Sequence, residues 1–362
     1  MKIILKLLFP VILINILLSS CNNQQNVFDE TYLVKPFTLN DIPKTKLLVG
    51  SKLIINDITF PRRLAVVDNY LVVSELDSDL FLHLIKLDAS SPTYLRNFGV
   101  KGDGPGEIRG VSYIETGFEE NTFWTFFVNN KLNSKFQIND TSLHAIDQFR
   151  LVGDLYMAVD ITWTADSTFM TIRADDHEKF VEYDLEGNII KTFGTWQGII
   201  AGNYPMSIIS SLYDGRFKSS PDKQTFALFC IRTDVIEILD RRSGNILSVR
   251  GPANYRYEFE VDYSLGYPMF STKNFKDSKP QYVDGYLTDK YIYALYSGRT
   301  RAEIDQKNIM CDEVFVFDYE GNLLKHYKLD HSLLTFAIDE KHNKMYGSTY
   351  DANPGIVVFD LD

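Results

Sequence analysis

One motif recurs along most of this chain and restricts its fold more than any other feature. Each copy has an apolar stretch that ends in a polar marker residue, a short turn, and a second apolar stretch. In the six copies the marker is Asp88, Asn139 or Asp140, Asp184, Asp240, Asp318 and Asp360. Turns such as Glu320-Gly321-Asn322 supply Gly and Asn, which accept positive φ at low cost, so the motif predicts a β-hairpin.

A second hairpin precedes each copy, with turns such as Asp68-Asn69 and Asp289-Lys290. Six units therefore carry four short strands each, here named a, b, c and d in chain order. The aromatic content of 14% fits this interpretation, because aromatic side chains favour pleated, half-buried surfaces. Six four-stranded units predict an all-β fold, a six-bladed β-propeller. Another all-β array is the alternative.

The two ends of the repeat predict how the ring closes. The sixth unit stops after its strand c, at Asp362, so its strand d is missing. Residues 45–58 hold an apolar stretch that belongs to no unit. We expect this stretch to supply the missing outer strand of the last blade, because a ring closed by an N-terminal strand has no bare sheet edge at its junction.

The first 21 residues have the layout of a secretory signal. Lys2 and Lys6 give a basic start, an apolar stretch follows, and two serines precede Cys21. The apolar stretch is shorter than the roughly 20 residues that a spanning helix needs. The residues Leu18-Ser19-Ser20-Cys21 resemble the lipobox of bacterial lipoproteins, and this resemblance implies cleavage before Cys21 and its lipidation. An ordinary signal peptide is the alternative.

The chain therefore divides into a signal peptide over residues 1–20, the lipidated Cys21 with a flexible tether over 21–40, and the propeller over 41–362. Removal of the two signal lysines leaves 37 − 2 = 35 basic side chains against 48 acidic ones, a formal charge of 35 − 48 = −13. This acidity argues against a nucleic-acid partner, which needs a basic face. It also opposes attraction to an anionic membrane, so the lipid would provide the attachment.

Three segments together resemble a known family. These are the lipobox at Cys21, "FGVKGDGPGEI" at 98–108 and "YALYSGR" at 293–299. The chain resembles the TolB-like six-bladed propeller lipoproteins of Bacteroidetes, and 98–108 is also similar to the interblade loop of NHL-type propellers. The resemblance implies the fold and an outer-membrane location. Surface-exported lipoproteins of this phylum often carry acidic residues soon after the cysteine; here the first is Asp29, so we expect a periplasm-facing domain.

No motif predicts catalysis, a metal site or a cofactor. There is no Gly-x-Ser-x-Gly elbow and no His-Glu-x-x-His pair. The Gly-rich segment 102–107 lacks the Gly-Lys-Ser/Thr ending of a phosphate loop. His177 follows Asp175-Asp176, but adjacent residues of one loop rarely converge on an ion, so an acidic solvated loop is favoured.

Basic residues predict a binding site instead. In propellers the b–c and d–a loops share one face, here named the top face. Arg173, Arg232 and Arg299 each follow strand b of blades 3, 4 and 5, Arg301 lies two residues further, and Lys131 has a similar place in blade 2. Guanidinium groups match carboxylate and phosphate oxygens, so we predict an anion site there. The alternative is local pairing with Asp175, Asp234, Glu303 or Asp312.

The leading functional hypothesis is non-catalytic binding or scaffolding, with an envelope protein, a glycan or an anionic small ligand as partner. The alternative is a metal-dependent propeller hydrolase or lactonase, and a third is a purely structural partner in an envelope complex. The long top-face segments 252–281 and 298–312 would form a rim for a ligand. Cys230 and Cys311 are either two buried thiols, which we favour, or a disulfide between neighbouring blades.

Overall fold

The computed structural model describes residues 32–88, 91–173, 178–196 and 204–361. The predicted signal peptide and Cys21 lie outside these residues, as does the acidic segment 175–177. In the part of the chain that is described, no helix is long and apolar enough to cross a membrane.

The strands form consecutive antiparallel sheets, which confirms the predicted six-bladed β-propeller. Short strands with runs of consecutive buried residues fit radial sheets that pack on both faces, because successive side chains point to opposite faces of a strand. Blade 1 has β4 Pro61–Val67, β5 Tyr70–Glu75, β6 Leu80–Lys86 and β7 Thr93–Val100. Blade 2 has β8 Tyr113–Thr116, β9 Thr122–Phe127, β10 Leu132–Gln137 and β11 Asp147–Arg150. Blade 3 has β12 Ala158–Ala165, β13 Thr168–Arg173, β14 Phe180–Asp184 and β15 Ile189–Phe193.

The remaining blades share a long strand. Blade 4 has β16 Gly215–Ser219, β17 Thr225–Cys230, β18 Val235–Asp240 and β19 Ile246–Arg250. Blade 5 has β22 Tyr282–Leu287, β23 Ile292–Tyr296, β24 Cys311–Phe317 and the first part of β25 Leu323–Asp339. Blade 6 has the last part of β25, β26 Lys344–Thr349, β27 Ile356–Asp360 and β3 Ser51–Leu53. Strand β25 thus joins blades 5 and 6 in one continuous sheet.

The N-terminal segment lies along the outer edges of three blades. As predicted from residues 45–58, β3 pairs antiparallel with β27 in the last blade. The strand β2 Lys46–Leu48 pairs in parallel with β25, and β1 Tyr32–Pro36 pairs in parallel with β19 of blade 4. Assignment of 32–36 to a flexible tether was therefore wrong. A five-residue parallel edge strand has no hairpin turn beside it, so it leaves no local signal in the sequence.

The Asp marker of the repeat has a structural role in the turn that follows strand c. The Asp318 carboxylate accepts hydrogen bonds from the backbone N of Asn322 at 2.7 Å and from its side chain at 2.6 Å. Asp184 makes the same contacts with Asn188. The side-chain hydrogen bond from Asn188 lowers the pKa of Asp184. Carboxylates that bind backbone N–H groups a few residues on stabilise tight turns, which explains why the marker recurs.

Aromatic and aliphatic clusters fill the spaces between blades. Phe98 packs edge-on against Phe123 and Phe136, at ring-centroid distances of 6.0 and 5.6 Å. Such edge-to-face pairs add to the free energy gained by burial. Cys230 and Cys311 are buried as free thiols within these clusters.

Short elements outside the sheets lie mainly in the long loops. The helix α1 Met206–Leu212 precedes blade 4, and α2 Arg301–Lys307 lies between β23 and β24. A hairpin of β20 Phe259–Asp262 and β21 Met269–Thr272 occupies much of the predicted rim segment 252–281. Two short 3₁₀ turns complete the described elements, Leu39–Asp41 and Gly153–Met157.

Candidate functional site

The innermost strand of each blade places one polar residue at the same register position. Each of these residues pairs with the penultimate residue of strand b in its own blade. The six residues, here called the polar ring, are Arg63, Tyr113, Asp160, Arg216, Asp284 and Thr335. Strand b ends at the top face, so the polar ring lies near the top end of the central channel.

Four of the six inner strands break register next to the polar ring. The breaks lie between Pro61 and Arg63, Ala158 and Asp160, Tyr282 and Asp284, and Leu333 and Thr335. A β-bulge adds one residue to one strand and changes the direction of a side chain, and bulges are common beside functional sites. The repeated break therefore sets the position of four of the six ring residues.

Both carboxylates of the polar ring already have hydrogen-bond donors. Asp160 is buried and accepts from the backbone N of Ile161 and of Phe217, each at 2.9 Å. Asp284 is buried and accepts from the backbone N of Gly285 at 2.9 Å and from the Thr335 hydroxyl. Burial raises the pKa of Asp160 to about 7, against the opposing effect of the two backbone donors.

The two ring guanidiniums, in contrast, keep donors without partners. Arg63 donates through Nε to the Ser112 carbonyl at 2.6 Å and through Nη1 to the Arg62 carbonyl at 3.1 Å. Arg216 donates through Nη1 to the Tyr113 hydroxyl at 3.1 Å and lies over that ring. Among the described contacts, neither arginine forms a salt bridge and neither uses its Nη2 group in a hydrogen bond. The ring carboxylates still attract them: Asp284 attracts both arginines, and Asp160 attracts Arg216.

Both arginines of the polar ring are protonated at neutral pH. Burial, together with repulsion from Arg216, lowers the pKa of Arg63 to about 10. Arg63 therefore stays protonated at neutral pH, and Arg216, like any guanidinium in a protein, does too. The polar ring thus offers free cationic donors that match a carboxylate or phosphate group.

The channel continues below the polar ring as a cavity of about 250 Å³. Its lower part holds Glu115, which forms an ion pair with Lys223 at 2.7 Å. Glu115 also accepts from the backbone N of Trp163 at 3.1 Å and from the Ser219 hydroxyl at 3.2 Å. This end of the cavity therefore has a carboxylate whose hydrogen-bonding capacity is used within the protein.

Two of the predicted arginines meet at a separate cavity. Arg173 and Arg232 both line a space of about 240 Å³ between blades 3 and 4, together with Trp196 and Tyr213. Arg232 forms an ion pair with Asp214 at 2.7 Å, and Arg173 donates to the Tyr183 hydroxyl at 2.7 Å. The cavity brings Arg173 and Arg232 together, but both side chains already have partners within the protein.

The other three predicted residues lie apart from that cavity. Arg299 forms an ion pair with Asp312 at 2.7 Å, as the alternative of local pairing expected. Arg301 begins α2 and its guanidinium lies 5.2 Å from the centre of the Phe275 ring. Lys131 is buried and donates to the Ala158 carbonyl at 2.6 Å. The site of five basic residues stays a prediction, and the structure points to a different pair of arginines.

Arg63 and Arg216 were not among the predicted residues, because the predicted residues follow strand b. Both lie inside strand a, in the segments "PRRLAVV" and "GRFKS". Counting back from the end of strand b does not align the two arginines, because Arg63 lies 12 residues before Glu75 and Arg216 lies 14 residues before Cys230. Their shared position becomes visible only when the strand register is known.

A family model for TolB-like six-bladed propellers matches residues 38–341. The chain belongs to this family. No curated protein matches the sequence. The TolB-like fold is shared by a crystal structure of a protein described as exported, from Bacteroides fragilis NCTC 9343. It has 12% sequence identity and a TM-score of 0.55, and the match covers 91% of this chain and 98% of that one.

A second crystal structure is similar to this TolB-like chain, a member of the DUF4221 family from Bacteroides vulgatus ATCC 8482. The identity is 10% and the TM-score 0.52, with 87% of this chain and 96% of that chain covered. At such identities the similarity concerns the fold alone. Among the described residues, no group of three or more His, Cys, Asp and Glu is arranged to hold a metal ion. No contact in the polar ring specifically favours the hydrolase alternative.

Proposed function

We propose that this protein is a non-catalytic binding protein of the cell envelope that binds an anionic group at the polar ring. The observation that carries this proposal is the contrast inside the ring. Asp160 and Asp284 have their donors, whereas Arg63 and Arg216 keep unpaired N–H groups. Both arginines are half-buried, and N–H groups of a guanidinium that have no acceptor in the protein can form charge-assisted hydrogen bonds with a bound anion.

The ligand we propose is a small molecule or an exposed side chain with a carboxylate or phosphate group. Arg63 and Arg216 come from blades 1 and 4, so together they can contact an anion from different sides. The 250 Å³ cavity below the ring leaves room for a small ligand and not for a folded domain. A partner protein would therefore insert only a terminus or a side chain.

The location in the proposal rests on the N-terminal sequence. The segment ending at Cys21 has the order of a lipoprotein signal, and the acidic mature chain would not bind an anionic bilayer by charge. We propose lipidation at Cys21 and a periplasm-facing position at the outer membrane. Replacement of Cys21 by Ser should move the protein from the membrane pellet to the soluble fraction. A Cys21→Ser protein that stays in the pellet after a salt wash would contradict the anchor.

Anion binding is tested by calorimetric titration of the detergent-solubilised mature protein with citrate and with inorganic phosphate. We expect saturable binding of at least one of them, weakened about tenfold or more in Arg63→Met and in Arg216→Met, because hydrogen bonds to charged groups contribute about 1.5–3 kcal/mol each. Arg62→Met is the matched control, since Arg62 is the neighbouring half-buried arginine of β4. Binding unchanged in both ring variants, or no binding of either anion, would refute the proposal.

A further inference from the structure

A third cavity lies at the opposite face of the propeller, between blades 2 and 3. It has a volume of about 350 Å³ and is bordered by the a–b turns of both blades. We call it the aromatic cleft. Its volume falls in the range of about 300–1,000 Å³ that is usual for small-molecule sites. It contains none of the residues of the polar ring.

The wall of the aromatic cleft is a cluster of three rings. Trp124 and Trp163 lie with their ring centroids 4.6 Å apart, and Phe149 packs edge-on against each at 5.7 Å. Trp163 is buried, whereas Trp124 and Phe149 are half-buried. Phe118 and Leu185 at the rim are more than 40% exposed. The cleft therefore presents exposed apolar side chains at its rim and half-buried aromatic rings in its wall, with the Lys135 ammonium 5.9 Å from the centre of the Trp124 ring.

Charged side chains of both signs surround this surface. Asp147, Asp166 and Arg150 are exposed, and Lys135 forms an ion pair with Glu119 at 2.9 Å. Three acidic and two basic residues give the cleft a formal charge of −1 (2 − 3). This near balance differs from the polar ring and favours a ligand with no net charge.

We propose that the aromatic cleft binds a neutral saccharide. A pyranose ring has a C–H face that packs against the electron-rich face of an aromatic ring, and its hydroxyl groups bind carboxylates and guanidiniums at the edges. Asp147, Asp166 and Arg150 are placed to take those hydroxyls. A purely apolar ligand would fit less well, because it would desolvate these charged groups without giving them partners.

Intrinsic fluorescence offers a direct test, because the chain has three tryptophans and two of them line the cleft. The full-length mature protein is titrated separately with four neutral probes: cellohexaose, xylohexaose, maltohexaose and hexa-N-acetylchitohexaose. At least one should change tryptophan emission saturably, with a Kd on the order of 1 mM or tighter. Polygalacturonate, an acidic saccharide, should bind at least about tenfold more weakly than the best neutral probe, because the cleft is slightly acidic.

Two variants in the cleft and two controls outside it show whether the saccharide binds at the aromatic cleft. Phe149→Ala removes a ring from the wall and should weaken binding about tenfold or more. Asp166 lies in an exposed turn, so its replacement should not affect folding. Asp166→Ala should weaken binding about two- to tenfold through loss of a hydrogen bond. Trp196→Phe changes the tryptophan outside the cleft and should leave the Kd unchanged. Arg216→Met should also leave it unchanged, which separates this site from the polar ring.

The proposal is overturned if none of the four neutral probes gives a saturable change. It is also overturned if Asp166→Ala binds as well as the wild type while Trp196→Phe or Arg216→Met loses binding. Either result would leave anion binding at the polar ring unaffected, because that function is measured with citrate and phosphate.

Discussion

The polar ring and the Lys179–Glu237 pair both place charged side chains inside the propeller, but the cations differ in burial and in partners. Lys179 is completely buried between blades 3 and 4, and its ammonium forms an ion pair with the buried Glu237. The ammonium also lies 3.7 Å from the centre of the Tyr213 ring and 4.9 Å from that of Trp196. In the ring, Arg63 and Arg216 donate hydrogen bonds to backbone carbonyls or a phenol, and Asp284 attracts both without accepting a hydrogen bond from either.

This difference separates structural charges from charges that are available to a ligand. Burial lowers the pKa of Lys179, and the Glu237 carboxylate opposes this effect. Both members of the pair are buried, and aromatic rings lie beside the ammonium. The arginines of the ring are half-buried instead, so a ligand can reach their unpaired N–H groups. The charges of the pair should therefore matter for folding, and those of the ring for binding.

The largest effect is expected at the buried pair. Glu237→Gln should lower the free energy of unfolding by about 3–5 kcal/mol, because it leaves Lys179 buried without its counter-charge. Urea denaturation measures this change. The double variant Lys179→Met/Glu237→Leu should recover most of the loss, since apolar replacement of a buried pair is often neutral. Wild-type stability in Glu237→Gln would show that the pair does not support the fold.

Removal of a ring arginine should have the opposite outcome. Arg216→Met should change the free energy of unfolding by no more than about 1 kcal/mol, because the arginine has one hydrogen bond within the protein. The same variant should lose about tenfold or more in affinity for citrate or phosphate. Denaturation and calorimetry on the same preparation check both parts. A loss of stability comparable to that of Glu237→Gln would place the ring among the structural charges.

The fold was predictable from the sequence because its signals are local. The contacts of Asp318 with Asn322 lie within a single turn, so the repeated marker shows the hairpins directly. Pairing of residues 51–53 with the last blade followed from a missing strand and an unassigned apolar stretch. The edge strand 32–36 was missed, since its parallel pairing with β19 depends on a distant part of the chain.

The site was harder to predict because it depends on register. A break of one residue after Pro61 decides which side chain of "PRRLAVV" occupies the ring position, and composition does not reveal such a break. The loop arginines were found by position alone, but their partners come from other segments. Asp312, the partner of Arg299, was among the candidates for local pairing, but Asp214, the partner of Arg232, was not, because it comes 18 residues earlier in the chain.

A smaller effect is expected from the buried carboxylate of the ring. The pKa of Asp160 rises from 3.8 to about 7 on burial, so the folded protein binds an extra proton between these pH values. The free energy of unfolding should therefore fall as pH rises through this window. Asp160→Asn removes this contribution, so between pH 5 and pH 8 the wild type should lose more stability than the variant. Parallel stability curves for the two proteins would contradict a raised pKa.

The smallest effect is expected at Tyr113, which positions Arg216 and does not itself carry the charge. Its hydroxyl accepts the hydrogen bond from Arg216 Nη1, so Tyr113→Phe should let the guanidinium turn away from the ring. Loss of one such bond predicts about two- to tenfold weaker binding of citrate or phosphate, with little change in stability. Tyr286→Phe, on the inner strand of blade 5 below the ring, is the matched control. If both variants bind alike, the orientation of Arg216 does not depend on Tyr113, and the affinity would rest on the charge of the two arginines alone.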